Sequence, residues 1–415
     1  MTTVFPTRVG FDEATGILAR VAAAALLEIE RVAPDAALGR VLGEDVVATG
    51  DVPAFDNSAM DGFALRVADL VGATPARPAV LALAGEQFAG ADQGLSVEAG
   101  QCVRITTGAP LPRRADAVVM KEEASDAGRD IAFRAPVNAG QHVRRAGEDV
   151  RRGDAVLKAG TPLGAAALSL AVAAGHGSLA VRRRPTVALF TTGDELRPAG
   201  APLGPGEIHD SNRVLLQGLL QADGYQPVAW PVLADDPVRI ATALSDAASA
   251  FDVVLTCGGV SAGERDHLPA WLEANGQVHF WKVRMRPGMP LIAGRVGAAQ
   301  FVGLPGNPVS VFATYLTLVR PFLDALQGRR LPRPRWSAQL ATPVTKRHER
   351  LEFLRARLLP GRDGVLQVAS DPADGSHRLR AAAAADCLLV LPEGAGTWPA
   401  GAVLEVLPLS LDASG

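Results

Sequence analysis

Three apolar runs that each stop at glycine constrain this chain more than any other feature. They are TVALFTTG (186–193), DVVLTCGG (252–259) and FVGLPGN (301–307). Each is followed, directly or after a loop, by a segment of helical spacing: NRVLLQGLLQAD (212–223), DPVRIATALSDAASA (236–250) and PVSVFATYLTLVRPFLDAL (308–326). A strand that is apolar throughout needs cover on both faces, so strands alternating with helices predict a parallel sheet between helical layers. Such sheets bind ligands beyond the carboxyl ends of their strands. All three glycine turns fall at those ends.

The flanking regions have a different texture. Residues 11–31 combine Ala, Leu and Glu with helical spacing and predict a helix. From 46 to about 140, short apolar segments alternate with Gly, Pro and Asp, which predicts a β-rich domain. Residues 161–181 read as a second helical piece entered through Thr161-Pro162, a proline being cheap at a first helical position. A basic, proline-containing linker, GRRLPRPR (328–335), precedes short alternating runs at 350–358, 365–370, 386–394 and 402–409, which predict a small C-terminal β domain. No internal repeat is visible. At roughly 100–200 residues per domain, 415 residues correspond to two to four domains.

Composition removes several function classes. With 48% hydrophobic and 20% charged residues the chain is globular rather than disordered. A net charge of −3 without a basic block argues against nucleic-acid binding. Cys102, Cys257 and Cys387 lie too far apart for a CxxC pair or a disulfide framework, which suits a reducing, cytoplasmic setting. The apolar stretch LGAAALSLAVAAG (163–175) is too short to span a bilayer. Pro6, Arg8, Asp12 and Glu13 stand where a signal peptide needs an apolar run. No membrane association is expected. The histidines show no HExxH or other ligand spacing, so no zinc site is expected.

Each chemically suggestive segment also has a bland reading. In TTGDEL (191–196), Asp194 and Glu195 follow a strand and a glycine; helix capping explains them equally well. TCGGVSAGERDHL (256–268) offers Gly258, Gly259, Ser261 and Gly263 just past a strand, with Asp266 on the same loop. Glycines let backbone N–H groups approach an anion, and a plain loop needs fewer special residues. GLPGNPVS (303–310) is either a third such turn or a tight structural one. Neither GxGxxG nor GxxxxGK[ST] occurs, which disfavours nicotinamide and ordinary P-loop enzymes. WKVRMRPGMP (281–290) places Lys282, Arg284 and Arg286 on alternate positions, hence on one face if it is a single strand. That is an anion site or edge protection. Four of the 41 basic residues are lysine (Lys121, Lys158, Lys282 and Lys346), so Lys282 is a poor candidate for a filler cation. DVPAFDNSAMDGFALR (51–66) and RRAGEDVRRGD (144–154) read as a hairpin turn and a charged loop in isolation, and VLADDP (232–237) as a helix cap before Pro237. Together, Asp61, Asp149, Glu195, Asp235 and Asp266 can bind a hard cation, and the basic groups an oxyanion. Phosphoryl chemistry with a divalent cation is the reading from residues alone.

FDNSAMDGFALR, RITTGAPLPRRADAVVMKEE (104–123), RRAGEDV, TTGDEL, EIHDSNR (207–213), TCGGVSAGERD and GLPGNPVS, in this order, resemble the molybdopterin molybdenumtransferase family, MoeA and the gephyrin E domain. With the N-terminal helix and the C-terminal β domain the resemblance covers nearly the whole chain. It implies a multidomain α/β plus β protein. The parts would be a MogA-like parallel α/β sandwich (1–26 and 181–328), a small helical linker region (27–50 and 150–180), a β-rich domain (51–149) and a C-terminal β-barrel-like domain (336–411). The subunit would be elongated and L-shaped, and the protein a homodimer with its active site between subunits.

The resemblance implies a reaction as well. Molybdate would be inserted into adenylylated molybdopterin, with hydrolysis of the adenylate and release of AMP and molybdenum cofactor. The upstream adenylyltransferase and downstream molybdoenzymes are possible partners. Asp266, supported by Asp61 and Asp149 of the partner, would act on water or a molybdate oxygen. Lys282 and Arg286 would hold anionic substrate. Gly258, Gly259, Ser261, Gly263, Gly303, Pro305, Gly306, Asn307 and Ser310 would carry the pyrophosphate, and Ser211 and Asn212 the nucleotide side. Arg350, Ser376 and Pro290 would lie near molybdate, and Glu195 and Asp235 would hold Mg²⁺. Two departures stand out. Where the family often reads K-P-G-K-P, this chain has Arg286-Pro-Gly-Met289-Pro. Arginine at 286 keeps the charge but not the geometry, whereas Met289 removes a cation, so Arg284 or Arg286 compensates or the molybdate site is altered. GERDHL replaces a common GEADYT but keeps Glu264 and Asp266. Two other readings are a non-catalytic scaffold or carrier relative, and a different phosphoryl-transfer enzyme such as the adenylyltransferase or a nucleotide pyrophosphatase. Retention of five carboxylates opposes the first. The N-terminal and C-terminal regions oppose the second.

Overall fold

The computed structural model describes residues 5–261, 266–361, 364–370 and 378–409. Its centre is a seven-stranded sheet in the order Thr7–Val9, Gln277–Val283, Ile292–Val296, Ala299–Leu304, Val253–Cys257, Val187–Thr191 and Val228–Ala229. The three glycine-terminated runs are its middle strands, and every residue in them is buried. Side chains alternate across this sheet. Leu189, Leu255 and Val302 join one core with the helix Phe11–Ala24, while Phe190, Val254 and Phe301 join another with the helix Pro237–Ala250. The sheet is mixed rather than uniformly parallel. Ile292–Val296 runs antiparallel to both its neighbours.

Local chemistry explains the helices. Asp236 accepts from the N–H groups of Val238 and Arg239, Pro237 opens the helix, and Ile240, Leu244 and Ala247 form its buried stripe. Asp210 accepts from the Arg213 N–H and caps Ser211–Ala222 in the same way. Pro308–Leu326 is long and apolar enough to cross a membrane by length and composition, but 89% of its most apolar window is buried inside the protein. It is a core helix. Its middle, Tyr315–Val319, is a π turn.

Three sequence expectations shift. The helix expected over 11–31 ends at Ala24, and Ile29–Val32 pairs instead as a strand with Leu179–Arg182. The helical piece expected over 161–181 is confined to Ala165–Ala173, with Gly164 at its cap in extended conformation. Pro162 forms an isolated bridge with Val41 instead of opening the helix. WKVRMR is not one strand. Gln277–Val283 ends, and Met285–Arg286 begins a separate strand. Lys282 takes φ +68°, which breaks the two-residue alternation, so its three cations do not share a face.

Around the central sheet, the N-terminal β region forms a six-stranded sheet, Ala117–Met120, Gly62–Leu65, Gln101–Ile105, Ala79–Gln87, Asp130–Phe133 and Ala124–Asp126. The C-terminal region closes a ring of five strands: Leu351–Pro360, Leu366–Ser370, Trp336–Leu340, Val403–Pro408 and Cys387–Leu391, which pairs back with Leu351–Pro360. Met285–Arg286 of the central region adds to that barrel, parallel to Leu351–Glu352.

Candidate active site

Strand register builds the site. Thr191 lies opposite Cys257, and Cys257 opposite Leu304. The three strands therefore end level, and their glycine turns sit side by side. Beyond them opens a cavity of about 570 Å³ lined by residues of all three turns and of the segments at 208–212, 235, 266 and 290.

The turns are held by specific contacts. Gly258 has φ +95°, and a Cβ there would meet the Thr192 carbonyl oxygen at 2.7 Å; only glycine fits. Asn212 Nδ2 donates to the Gly306 carbonyl at 2.6 Å and ties the 209–212 segment to the third turn. Asp210 is 5% exposed, accepts from Thr191 Oγ1 at 2.6 Å and also caps its helix. The Asp235 N–H donates to Asp194 Oδ1 at 3.0 Å. No helix follows Asp194 and Glu195, because a short strand, Leu196–Arg197, comes next, so helix capping does not explain these acids. The Cys257 Sγ lines the cavity, 3.2 Å from the Pro305 carbonyl. Burial pushes its thiol well above the ordinary value, which keeps it protonated and inert.

Of the site residues expected from sequence, the cavity brings together Glu195, Ser211, Asn212, Asp235, Gly258, Gly259, Ser261, Asp266, Pro290, Pro305, Gly306 and Asn307. Gly303 and Ser310 do not line it. Gly303 is inside a strand, where a Cβ would strike Leu268, Val260 and Ile292 at 2.6–2.7 Å; its role is packing. Ser310 is 4% exposed within a helix, and its carbonyl accepts from Thr314 Oγ1. Gly263 and Ser376 lie outside the described residues.

Asp61 and Asp149 are exposed and not part of the lining. Asp61 Oδ1 accepts from the Thr107 N–H at 2.8 Å and its hydroxyl at 2.9 Å. Those bonds hold its carboxyl below the usual carboxylate range, with the backbone bond the largest cause. Their loops are joined by pairing of Asn57–Ser58 with Val143–Arg144.

The basic residues also stand off the lining. Lys282 Nζ lies 4.3 Å from the Trp281 ring centre. Arg284 pairs with Glu393 at 3.0 Å, and Arg286 lies 3.4 Å from Glu352. The cation next to Met289 is Arg350, whose Nη1 is 3.9 Å from Sδ.

Among the described residues the cavity lining holds Glu195, Asp210, Asp235 and Asp266 and neither lysine nor arginine. An acidic pocket of this kind repels a phosphorylated anion unless a cation accompanies it. The described residues contain no cluster of three or more metal-type side chains. Sequence reasoning missed Thr107, in RITTGAP, and Asp210. The second was legible as the acid immediately before a helical run. A separate cavity of about 470 Å³ lies between the helix Phe11–Ala24, the end of Pro308–Leu326 and the C-terminal barrel. It contains none of the expected site residues.

Fold and cavity together define an α/β protein with its ligand site beyond the carboxyl ends of parallel strands, and comparisons with known proteins give its class. Residues 9–175 match the family model for the MoeA N-terminal region (domain I and II), and 337–409 that for the MoeA C-terminal region (domain IV). Residues 188–325, which hold almost the whole cavity, match the model described as "Probable molybdopterin binding domain". The chain is 37% identical over 377 residues to a molybdopterin molybdenumtransferase of Haemophilus influenzae, covering 90% of this chain and 92% of that one. It is 40% identical over 382 residues to molybdopterin molybdenumtransferase 2 of Mycobacterium tuberculosis, covering 90% and 93%. A solved molybdopterin biosynthesis MoeA protein of Pyrococcus horikoshii superposes with a TM-score of 0.82 at 29% identity, over 96% of this chain and 99% of that one.

The chain belongs to the MoeA family, the molybdopterin molybdenumtransferases, and is an enzyme of molybdenum cofactor biosynthesis.

Proposed function

We propose that this enzyme inserts molybdate into adenylylated molybdopterin, hydrolysing the adenylate and releasing AMP and molybdenum cofactor. The observation that carries this reading is the cavity at three level strand ends, lined among the described residues by four carboxylates and no lysine or arginine. Glycine turns at 258–259 and 305–307 offer close backbone approach to a pyrophosphate. Ser261 follows the first of these turns, and Ser211 and Asn212 flank the nucleotide side.

Glu195 and Asp235 would hold Mg²⁺, which when bound offsets charge on the phosphate oxygens. Asp266 stands at the start of the helix His267–Asn275, yet its side chain does not cap it. There it takes the proton of the attacking water. As water adds to phosphorus the phosphoanhydride bond breaks, and AMP leaves. Lys282 and Arg286 hold anionic substrate, and Pro290, Arg350 and Ser376 adjoin molybdate. The positive φ of Lys282 is the kind of strain that collects at functional sites.

The resemblance implies a homodimer in which each cavity receives Asp61 and Asp149 from the partner subunit, and that these acids stay off the cavity lining of their own chain supports it. Exposed Phe55 and Met60 beside Asp61 support an interface there. Partners in sequence are the upstream adenylyltransferase and the downstream molybdoenzymes. Three buried free cysteines suit a reducing cytoplasm.

Equilibrium binding of adenylylated molybdopterin with and without Mg²⁺ tests the charge argument. Mg²⁺ is expected to tighten binding about tenfold or more, and the Glu195→Gln, Asp235→Asn double variant to lose that dependence. Tight binding that ignores Mg²⁺ in the wild type would remove the cation from the account.

A further inference from the structure

The parallel pairing of Met285–Arg286 with Leu351–Glu352 joins the α/β region to the C-terminal barrel and sets Arg286 opposite Glu352. Glu352 is 5% exposed. Its Oε1 lies 3.4 Å from Arg286 Nε, and its Oε2 3.2 Å from His348 Nε2. The second contact lacks hydrogen-bond geometry, since neither ring nitrogen of His348 has a partner, so it acts through charge alone when the ring is protonated. The same turn fixes Arg350. Buried Lys346 donates its ammonium to the Arg350 and Pro392 carbonyls, and Arg350 Nη1 reaches the Met285 carbonyl at 3.4 Å.

A buried carboxylate is costly unless paired. Beside a site that must take a doubly charged oxyanion it also opposes the ligand. Glu352 meets both objections only if orienting a cation outweighs repelling the anion. Arginine stands here where the family often has lysine, and a planar fork depends on orientation in a way that an ammonium does not.

We propose that Glu352 is a positioning residue for molybdate: it aims the Arg286 guanidinium at the oxyanion across the pairing of the two domains. This rests on the reading above that Arg286 holds anionic substrate.

The test is steady-state kinetics with molybdate as the varied substrate, on the full-length enzyme with saturating adenylylated molybdopterin and Mg²⁺. Glu352→Gln keeps the shape and removes the charge. It is expected to raise the KM for molybdate about tenfold and to leave kcat within about twofold. Arg286→Ala is expected to raise KM at least as much, and adding Glu352→Gln to it should change nothing further, because the two act as one unit. Glu352→Asp, which withdraws the carboxylate by one methylene, should fall between wild type and Glu352→Gln, and it serves if Glu352→Gln does not fold. An unchanged KM in Glu352→Gln with a raised KM in Arg286→Ala would overturn the positioning role and leave the proposed function standing. A lowered KM in Glu352→Gln would also overturn it, as the carboxylate would then only repel the anion. An unchanged KM in both single variants would instead remove Arg286 from the anion site, and the inference with it.

Discussion

Gly258 and Gly306 both line the cavity, for different physical reasons. Gly258 has positive φ and abuts the Thr192 carbonyl, whereas a Cβ on Gly306 meets nothing within 4 Å. Gly258→Ala should therefore cost roughly 1–3 kcal/mol of stability in denaturant unfolding. Gly306→Ala should leave stability within about 0.5 kcal/mol yet weaken substrate binding, since its methyl occupies open space at the phosphate turn. Equal stability losses in the two would contradict the distinction. Sequence could not separate these glycines, because one is required by backbone conformation and the other by a ligand. It also grouped Gly303 with them, although packing against Leu268, Val260 and Ile292 accounts for that position. The acids were more legible. Glu195, Asp235 and Asp266 lie far apart in sequence and meet in one cavity, because Glu195 sits on the loop after the strand Val187–Thr191 and the other two come just before the helices Pro237–Ala250 and His267–Asn275 at the same edge of the sheet.

Elements with one dominant signal were readable, and those that depend on distant partners were not. The middle strands and the helices Ser211–Ala222 and Pro237–Ala250 carry their own burial pattern and caps. Ile29–Val32 looked helical because its strand pairing is with Leu179–Arg182, far along the chain. The break after Val283 follows from the backbone turn at Lys282, which no periodicity announces. The π turn in Pro308–Leu326 is another such case. Tyr315 donates to Asp223 Oδ2 at 2.7 Å, and Arg320 Nε reaches the same oxygen at 2.7 Å. The Asp223 side chain is 5% exposed and also faces Arg333 at 3.3 Å. Removing it by Asp223→Ala strands the buried Arg320, while Arg333 keeps Asp324, and should destabilise by about 3–5 kcal/mol in urea unfolding. A loss below about 1 kcal/mol would mean that solvent already screens the cluster.

At the scale of the molecule, three structural regions meet at one function. The central sheet holds the cavity; under the proposed function the barrel would contribute Arg350 and Glu352, and the N-terminal β region would contribute Asp61 and Asp149 from an exposed surface. Family resemblance carried the three-region organisation in the sequence more fully than composition did, since no composition suggests that Asp61 and Asp266 could belong to one site. The central claim is that Asp266 and the partner's Asp61 complete one site for molybdate-dependent loss of AMP. The most direct test is single-turnover AMP release from adenylylated molybdopterin with Mg²⁺, with and without molybdate. Wild type, Asp266→Asn, Asp61→Asn and a coexpressed equal mixture of the two variants would be compared. The account predicts molybdate-dependent release by wild type and none by either variant alone. In the mixture, release should return to roughly a quarter of wild type, because half the dimers carry one intact site in two. Wild-type release by Asp266→Asn, or a mixture as inactive as its parts, would contradict it.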